Sequence, residues 1–269
     1  MQNPKYLKIK EHFALRYAKQ NLLKEQNNKF VLDENLLNAK TKLLINNLKF
    51  EEALKLNSPI LNEKIQFNPF NALIKGNNRS GKEEIMSIKE FLEKIIVIQN
   101  ELVKNPKSAM DNYLFANALY NLSYFGNSNI LTTVYRSVYS FNDYDLQKQK
   151  IEIATKHYTK ALNETNEKEF KAKITYMLAK TELAFYDITY ATKTQDYFNK
   201  ELSRYDLERY WYYGNEKVYN DYLKNNYGKY FDILQKEFND TNYYKELIQE
   251  CANLRIYQKH SKKPKQAMH

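Results

Sequence analysis

The segment Ser108-Ala-Met-Asp-Asn-Tyr-Leu-Phe-Ala-Asn-Ala-Leu-Tyr-Asn-Leu-Ser-Tyr-Phe-Gly126 decides the fold, and it has a counterpart between Glu167 and Tyr190. In register, the two place Phe115-Ala116 over Leu178-Ala179. Each pair sets a large apolar residue and then a small one near the middle of an apolar helical face. A small residue there lets a neighbouring helix pack closely. The pattern predicts stacked helical hairpins.

The composition favours helix along the whole chain. Its 269 residues include five glycines and five prolines, which leaves little turn chemistry for a sandwich or a barrel. Apolar residues recur at spacings of three and four, whereas alternation at period two is scarce. We therefore predict an all-α fold of antiparallel helical hairpins with irregular insertions.

The net charge allows two interpretations. Forty-two Lys and Arg against 32 Asp and Glu give a formal charge of +10, which suits an anionic partner such as nucleic acid, acidic lipid or acidic protein. The positive residues are scattered among carboxylates, however, and this distribution is typical of solvated helix faces. We favour solvated faces over a nucleic-acid footprint.

Cysteine usage and hydropathy exclude further classes. Cys251 is the single cysteine, so the chain has no internal disulfide and cannot build a thiolate zinc site. No stretch approaches the roughly 20 apolar residues that a membrane helix needs. Met1 to Lys10 carries three lysines and no apolar core, so we expect no signal peptide there.

Capping and breaking residues delimit the predicted helices. Asp33 is expected to cap the second helix, and Ser108 with Asp111 a later one, because their side-chain oxygens can accept the unpaired N–H groups of a first turn. Gly126 can take the left-handed conformation that closes the later helix. The predicted helices cover about residues 4–24, 33–48, 50–56, 82–104, 108–126, 144–163, 167–190 and 243–257, with a shorter piece between Asn127 and Asp143.

These helices divide the chain into four segments. Residues 1–58 form the N-terminal helices. Residues 59–82, which contain two prolines and two glycines, form an irregular linker or loop. Residues 83–258 form the repeat region, and residues 259–269 form a polar, basic tail that we expect to be disordered.

One stretch matches a catalytic pattern. Gly76-Asn-Asn-Arg-Ser-Gly-Lys-Glu83 has the glycine and lysine spacing of a phosphate-binding P-loop. Its eighth position is Glu where the pattern requires Ser or Thr, which removes a magnesium ligand and adds a negative charge where phosphates would lie. Ser80 and Glu83 also form a capping box ahead of an apolar run. We favour the capped helix start over a nucleotide site.

A family resemblance lies further along the chain. The small-aromatic-small spacing of Ala154, Tyr158 and Ala161 resembles the second helix of a tetratricopeptide repeat (TPR), and Leu178-Ala179 matches its Leu-then-small position. The resemblance implies a TPR-like α-solenoid that binds protein and carries no catalytic residues. Residues 108–180 are also similar to the C-terminal part of repeat proteins from Bacteroidetes bacteria, which implies export to the cell envelope.

The repeat pattern is degenerate. Ala116 and Ala179 lie 63 positions apart rather than about 34, and the leading Trp, the Gly of the first repeat helix and the closing Pro are absent. Cys251-Ala252 resembles Phe115-Ala116, so we expect Cys251 and Ala252 at a close-packed helical position. The residues predicted to pack between repeats are Phe115, Ala116, Ala154, Tyr158, Ala161, Leu178, Ala179, Cys251 and Ala252.

An aromatic cluster supplies the candidate partner-binding site, which consists of Tyr210, Trp211, Tyr212 and Tyr213. A helix cannot bury four successive side chains on one face, so at least one of them should be exposed or meet a partner. Packing in a seam between helices and stacking on a sugar or a base are the alternatives.

Metal and catalytic sites are not indicated. His12, His157, His260 and His269 lie on separate segments with no second ligand at metal spacing. No Ser or Cys has a recognisable nucleophile context. We therefore predict no metal, no cofactor and no enzymatic activity.

The predicted function is that of a non-catalytic helical-repeat scaffold that binds a protein partner in a bacterial envelope-associated complex. The alternative is binding of nucleic acid or another polyanion by a basic, Tyr-rich helical protein. The resemblance implies a periplasmic or outer-membrane-associated location, whereas the lack of a visible signal peptide favours a cytoplasmic or trimmed chain.

Overall fold

The computed structural model describes residues 29–74, 86–134, 144–198, 222–224 and 226–261. In these ranges the chain is helical, with no strand beyond an isolated β-bridge between Lys64 and Ser87. The prediction of an all-helical fold is therefore confirmed. The helices are α1 (Lys29–Asn46), α2 (Phe50–Lys55), α3 (Ile88–Lys104), α4 (Ala109–Leu122), α5 (Tyr144–Glu164), α6 (Lys168–Phe198), α7 (Lys229–Glu237), α8 (Asn242–Glu250) and α9 (Ala252–Ser261), with 3-10 helices at Pro59–Asn62 and Asn129–Leu131.

Two compact units make up the described chain, and each joins segments that are distant in sequence. The first unit contains residues 29–69, 86–101 and 121–134. The second contains residues 70–74, 102–120, 144–198, 222–224 and 226–261. The predicted segment boundaries follow chain order and stay a prediction.

The first unit is built around α1, α2 and most of α3. α2 packs against α1, and the rings of Phe50 and Phe91 meet edge to face with 6.3 Å between their centroids. The side-chain oxygen of Asn38 accepts hydrogen bonds from the Ser58 hydroxyl and, at 3.1 Å, from the Ile60 N–H. The segment after α2 is thereby attached to α1.

A capping box starts α3 at Ile88. The Glu90 N–H donates to the Ser87 hydroxyl at 3.1 Å, and the Ser87 N–H donates to the Glu90 carboxylate. The predicted start at Lys82 is wrong, because Met86 and Ser87 are not helical. The capping box of Ser87 and Glu90 has the same form as the one predicted at Ser80 and Glu83, which lie outside the described residues.

α6 lies at the centre of the second unit, where it packs against α5, α7 and α8. The alanines that the hairpin interpretation requires are fully buried: Ala116 in α4, Ala154 and Ala161 in α5, and Ala179 in α6. Their large neighbours Phe115, Tyr158 and Leu178 are buried as well. Small side chains at these positions let the helix backbones approach closely.

α4 ends differently from the prediction. Ser108 caps its start as expected, since its hydroxyl accepts the Asp111 N–H at 3.3 Å. Gly126 does not take the left-handed conformation, and Gly228 is the described glycine with a positive φ, at 93°. Instead, the Ser128 N–H donates to the Asn121 carbonyl in the last turn of α4 at 3.0 Å.

The helix predicted from Tyr243 to Tyr257 is two helices. α8 ends at Glu250, and Cys251 is extended, with φ −95° and ψ 106°. α9 then begins at Ala252. Cys251 is buried and Ala252 is exposed, so the helical position predicted for this pair is wrong.

Three further segments differ from their predictions. Asp33 lies inside α1 instead of capping it, because the helix already includes Lys29. Residues 259–261 continue α9, so the tail does not begin at residue 259. Residues 59–74 are irregular as predicted, but Phe70 and Leu73 are buried, which a solvated linker would not show.

Candidate functional site

α4 carries buried asparagines on a helix whose other buried side chains are apolar or aromatic. Asn117 has no solvent-exposed surface. Its Nδ2 donates to the Phe70 carbonyl at 2.8 Å, and its Oδ1 accepts from the Tyr158 hydroxyl at 2.6 Å. Because a buried amide is costly unless both of its ends are paired, this arrangement fixes residue 70 and α5 to α4.

Asn112 repeats the arrangement one to two turns earlier. Its Nδ2 donates to the Ser108 carbonyl at 2.8 Å, which leaves Oδ1 to face His157 Nδ1 at 2.7 Å. The imidazole therefore carries its proton on Nδ1 and donates to Asn112. Burial, aided by two neighbouring lysines, lowers the pKa of His157 to about 4.

α6 adds two donors that lie one turn apart on one face. The Tyr176 hydroxyl donates to the Ile74 carbonyl at 3.3 Å. The Lys180 ammonium donates to the Leu73 carbonyl at 3.1 Å. Both acceptors belong to main chain that forms no helix or strand.

We call residues 70–74 the strap, and Asn117, Tyr176 and Lys180 the cradle. The cradle binds three strap carbonyls from two helices. The strap also buries the side chains of Phe70 and Leu73, which are 2% and 7% exposed. The strap is thus held by hydrogen bonds from side chains to its main-chain carbonyls and by two apolar anchors three positions apart.

The Lys180 ammonium lies between aromatic faces. Its Nζ is 4.9 Å from the ring centroid of Tyr120 and 5.8 Å from that of Tyr176, both within cation–π range. Removal from water lowers the pKa of Lys180 to about 8, against a weaker opposing effect of Cys251. The ammonium is therefore mostly charged at neutral pH, and its hydrogen-bonding partner in the strap is a neutral carbonyl.

The phenols around the cradle are hydrogen-bond donors. Burial raises the pKa of Tyr158, Tyr176 and Tyr243 well above the usual value for a tyrosine, so all three stay protonated at neutral pH. The rings of Tyr176 and Tyr243 meet edge to face at 6.0 Å. The Tyr243 hydroxyl is buried with no hydrogen-bond partner in the described chain. Protonated phenols suit recognition of carbonyls better than proton abstraction.

Two carboxylates of α6 bind the starts of later helices. Glu169 accepts the N–H groups of Asn242 and Tyr243 at 2.7 and 3.1 Å, at the start of α8. Glu182 accepts the Tyr230 N–H at 3.2 Å, at the start of α7. A carboxylate is stabilising there because the first N–H groups of a helix lack partners. Burial nevertheless raises the pKa of Glu182 to about 7.

The predicted partner-binding cluster and the P-loop match lie outside the described residues. These are Tyr210, Trp211, Tyr212 and Tyr213 in one case, and residues 76–83 in the other. His12 and His269 lie outside them too, whereas His157 lies in α5 with Asn112 as its partner. Within the described chain, no group of three or more His, Cys, Asp and Glu side chains is placed to hold a metal ion.

Sequence reasoning missed the cradle. In the sequence, Asn117 was considered only as the neighbour of Ala116, and Lys180 only as the last residue of the segment that resembles repeat proteins. One signal was present, since asparagine is a poor residue for the interior of an apolar helix and three of them occur in α4, at Asn112, Asn117 and Asn121. No signal in sequence pointed to their partners.

Comparison with protein-family models, with curated proteins and with solved structures gave no match. The resemblance to tetratricopeptide repeats therefore stays a prediction. Every helix in the described ranges is too short or too polar to cross a membrane.

Proposed function

We propose that the protein is a non-catalytic helical scaffold that binds a protein partner. The observation that carries this proposal is the cradle, in which α4 and α6 bind a non-helical stretch of polypeptide by its carbonyl oxygens. Stacking of the hairpins as a TPR-like solenoid belongs to the same proposal, and the buried alanines at the helix contacts support it.

Main-chain recognition is the reason to favour a protein partner. Every residue of a polypeptide offers a carbonyl, so donors aimed at carbonyls accept many sequences, while pockets for individual side chains supply selectivity. A polyanion site needs the opposite chemistry, namely unpaired cations spread along a surface.

The surface charges support the same choice. On α5, Lys148 and Glu152 pair at 3.8 Å, and on α7, Lys236 and Asp232 pair at 2.6 Å. Lys168 of α6 pairs with Asp240 at 2.7 Å. Lysines that face carboxylates at such distances present little net field to a nucleic acid.

The proposed cellular location of the scaffold depends on the predicted family resemblance alone. The resemblance predicted for residues 108–180 to Bacteroidetes repeat proteins is the reason to propose a component of a bacterial envelope-associated complex. Fractionation of the native cells with an antibody against the chain tests this part of the proposal, and recovery in the cytosolic fraction contradicts it.

Co-purification tests the scaffold function. The tagged chain is cross-linked in the native source and purified after nuclease treatment and a high-salt wash. We expect a protein in a fixed stoichiometry with the chain. Recovery of nucleic acid instead, together with heparin binding that falls steeply with salt, contradicts the proposal and supports the polyanion alternative.

A further inference from the structure

We infer that the strap is exchangeable, and that a partner segment with an aromatic residue followed three positions later by leucine takes the place of Phe70 and Leu73 in the cradle. This inference rests on the proposed function, and it names the chemistry of the partner. Three features of the second unit support it.

The first feature is that the cradle does not depend on strap sequence. Asn117, Tyr176 and Lys180 each donate a hydrogen bond to a carbonyl oxygen of the strap. An incoming segment with the same backbone path offers the same three acceptors. Exchange therefore replaces each hydrogen bond with an equivalent one, and none of the three donors is left unpaired in the bound state.

The second feature is the spacing of the anchors. Phe70 and Leu73 are buried, whereas Asn71 between them is exposed. Burying a Phe or a Leu side chain contributes far more than an exposed polar one. The selective element of a partner segment is therefore the aromatic-x-x-leucine spacing.

The third feature is the charge of Lys180. The strap, Phe70-Asn-Ala-Leu-Ile74, contains no carboxylate, so it gives the enclosed ammonium only a neutral carbonyl. A partner segment that places an acidic side chain beside its leucine gains a charge-assisted hydrogen bond that the strap lacks. This difference supplies a driving force for displacement of the strap.

The strap competes as a tethered ligand. A segment of the same chain is present at an effective concentration in the millimolar range, so a free peptide of equal affinity binds the intact chain weakly. Weakening the strap by substitution should therefore expose the affinity of the cradle. A displacement measurement on the full chain can detect this.

The experiment uses a fluorescent peptide with the sequence of residues 68–74, Asn-Pro-Phe-Asn-Ala-Leu-Ile, and measures its anisotropy with the full chain. The chain is compared with its Phe70→Ser, Leu73→Ser double variant. We expect the double variant to bind the peptide at least about tenfold more tightly than the wild type, because its own strap competes less well. A peptide with serine at both anchor positions should bind at least about tenfold more weakly.

Two substitutions on α6 show whether the peptide occupies the cradle. In the double variant, Lys180→Met removes the donor and keeps an apolar stem, whereas Lys173→Met makes the same change at an exposed position of the same helix. We expect weaker peptide binding for the first and no change for the second. Replacing the last peptide residue by glutamate should strengthen binding in a manner that depends on Lys180.

If the double variant does not unfold cooperatively, and so is not properly folded, the Leu73→Ser single variant is used in its place. Equal or absent peptide binding in wild type and in a folded strap variant overturns the inference, and so does equal binding of the serine control peptide. A dimer formed by exchange of straps without peptide binding also overturns it. In each of these cases a protein recovered by co-purification leaves the scaffold function standing, so the two failures can be told apart.

Discussion

α4 and α6 both bind the main chain of other segments through side-chain hydrogen bonds, but they do so with different chemistry. α4 uses neutral amides, of which Asn117 is completely buried and bonded at both ends. α6 uses ionisable side chains: Lys180 binds a carbonyl of the strap, and Glu169 and Glu182 bind N–H groups at the starts of α8 and α7.

The difference separates a permanent attachment from an adjustable one. An amide keeps its hydrogen bonds at every pH, and its removal takes a hydrogen bond away from each of the two groups that it joins. The interaction free energy of an ionisable side chain changes with pH, because its charge changes, and with any ion that approaches it. We therefore expect substitutions in α4 to change stability at all pH values, and substitutions in α6 to change how stability depends on pH.

The largest effect is expected for Asn117→Leu. This nearly isosteric change removes the amide that bonds both the Phe70 carbonyl and the buried Tyr158 hydroxyl, so the free energy of unfolding should fall by roughly 2–5 kcal/mol. Urea unfolding at pH 6 and pH 8 measures it, and the loss should be the same at both. Asn105→Leu at an exposed position is the control, with a change within about 0.5 kcal/mol.

Glu182→Gln should change the pH dependence of stability. Because the folded pKa of Glu182 is raised from 4.5 to about 7, its contribution is complete below pH 4.5 and is lost as the pH rises through about 7. We expect wild type to lose roughly 1–2 kcal/mol relative to the variant between pH 4.5 and pH 7.5, after allowance for partial solvation.

Urea midpoints across this range measure the effect of Glu182. Glu169→Gln makes the same chemical change at the start of α8 and controls for the loss of a negative charge near a helix N-terminus. If stability depends on pH in the same way for wild type and Glu182→Gln, the protonation of Glu182 is not linked to folding. The proposed contrast between a pH-independent α4 and a pH-dependent α6 would then be contradicted.

The smallest effect is expected for His157, which belongs to α5 and donates to an amide of α4. Its folded pKa of about 4 lies below the usual 6.5, so the unfolded chain binds more protons and stability falls as the pH drops from 6.5 to 4. We expect His157→Gln to remove about 1 kcal/mol of this loss, since the ring is partly exposed. NMR titration of the imidazole provides an independent measurement, and a pKa above 6 would contradict the account.

The local signals in the sequence predicted several elements well. Ser108 predicted the start of α4, and the helix predicted over about residues 144–163 ends within one residue of the observed end of α5 at Glu164. Such signals lie within one turn of the element that they describe. Helix existence and type could therefore be read from periodicity and caps.

Contacts between distant residues could not be read in this way. Asn117 and Phe70 are 47 positions apart, and Lys180 and Leu73 are 107 positions apart, so no periodicity relates them. The break between α8 and α9 at Cys251 was also missed, because no glycine or proline marks it in the sequence.

Lys180 lies between the rings of Tyr120 and Tyr176 and donates to the strap, and both proposals depend on this arrangement. Side-chain nitrogen NMR of labelled lysines in the full chain can detect it. The account predicts an ammonium that titrates with a pKa of about 8, shows contacts to the rings of Tyr120 and Tyr176, and shifts when Leu73 is replaced by serine. A pKa near the ordinary 10.5 of a lysine, with no ring contacts and no response to Leu73→Ser, would contradict it.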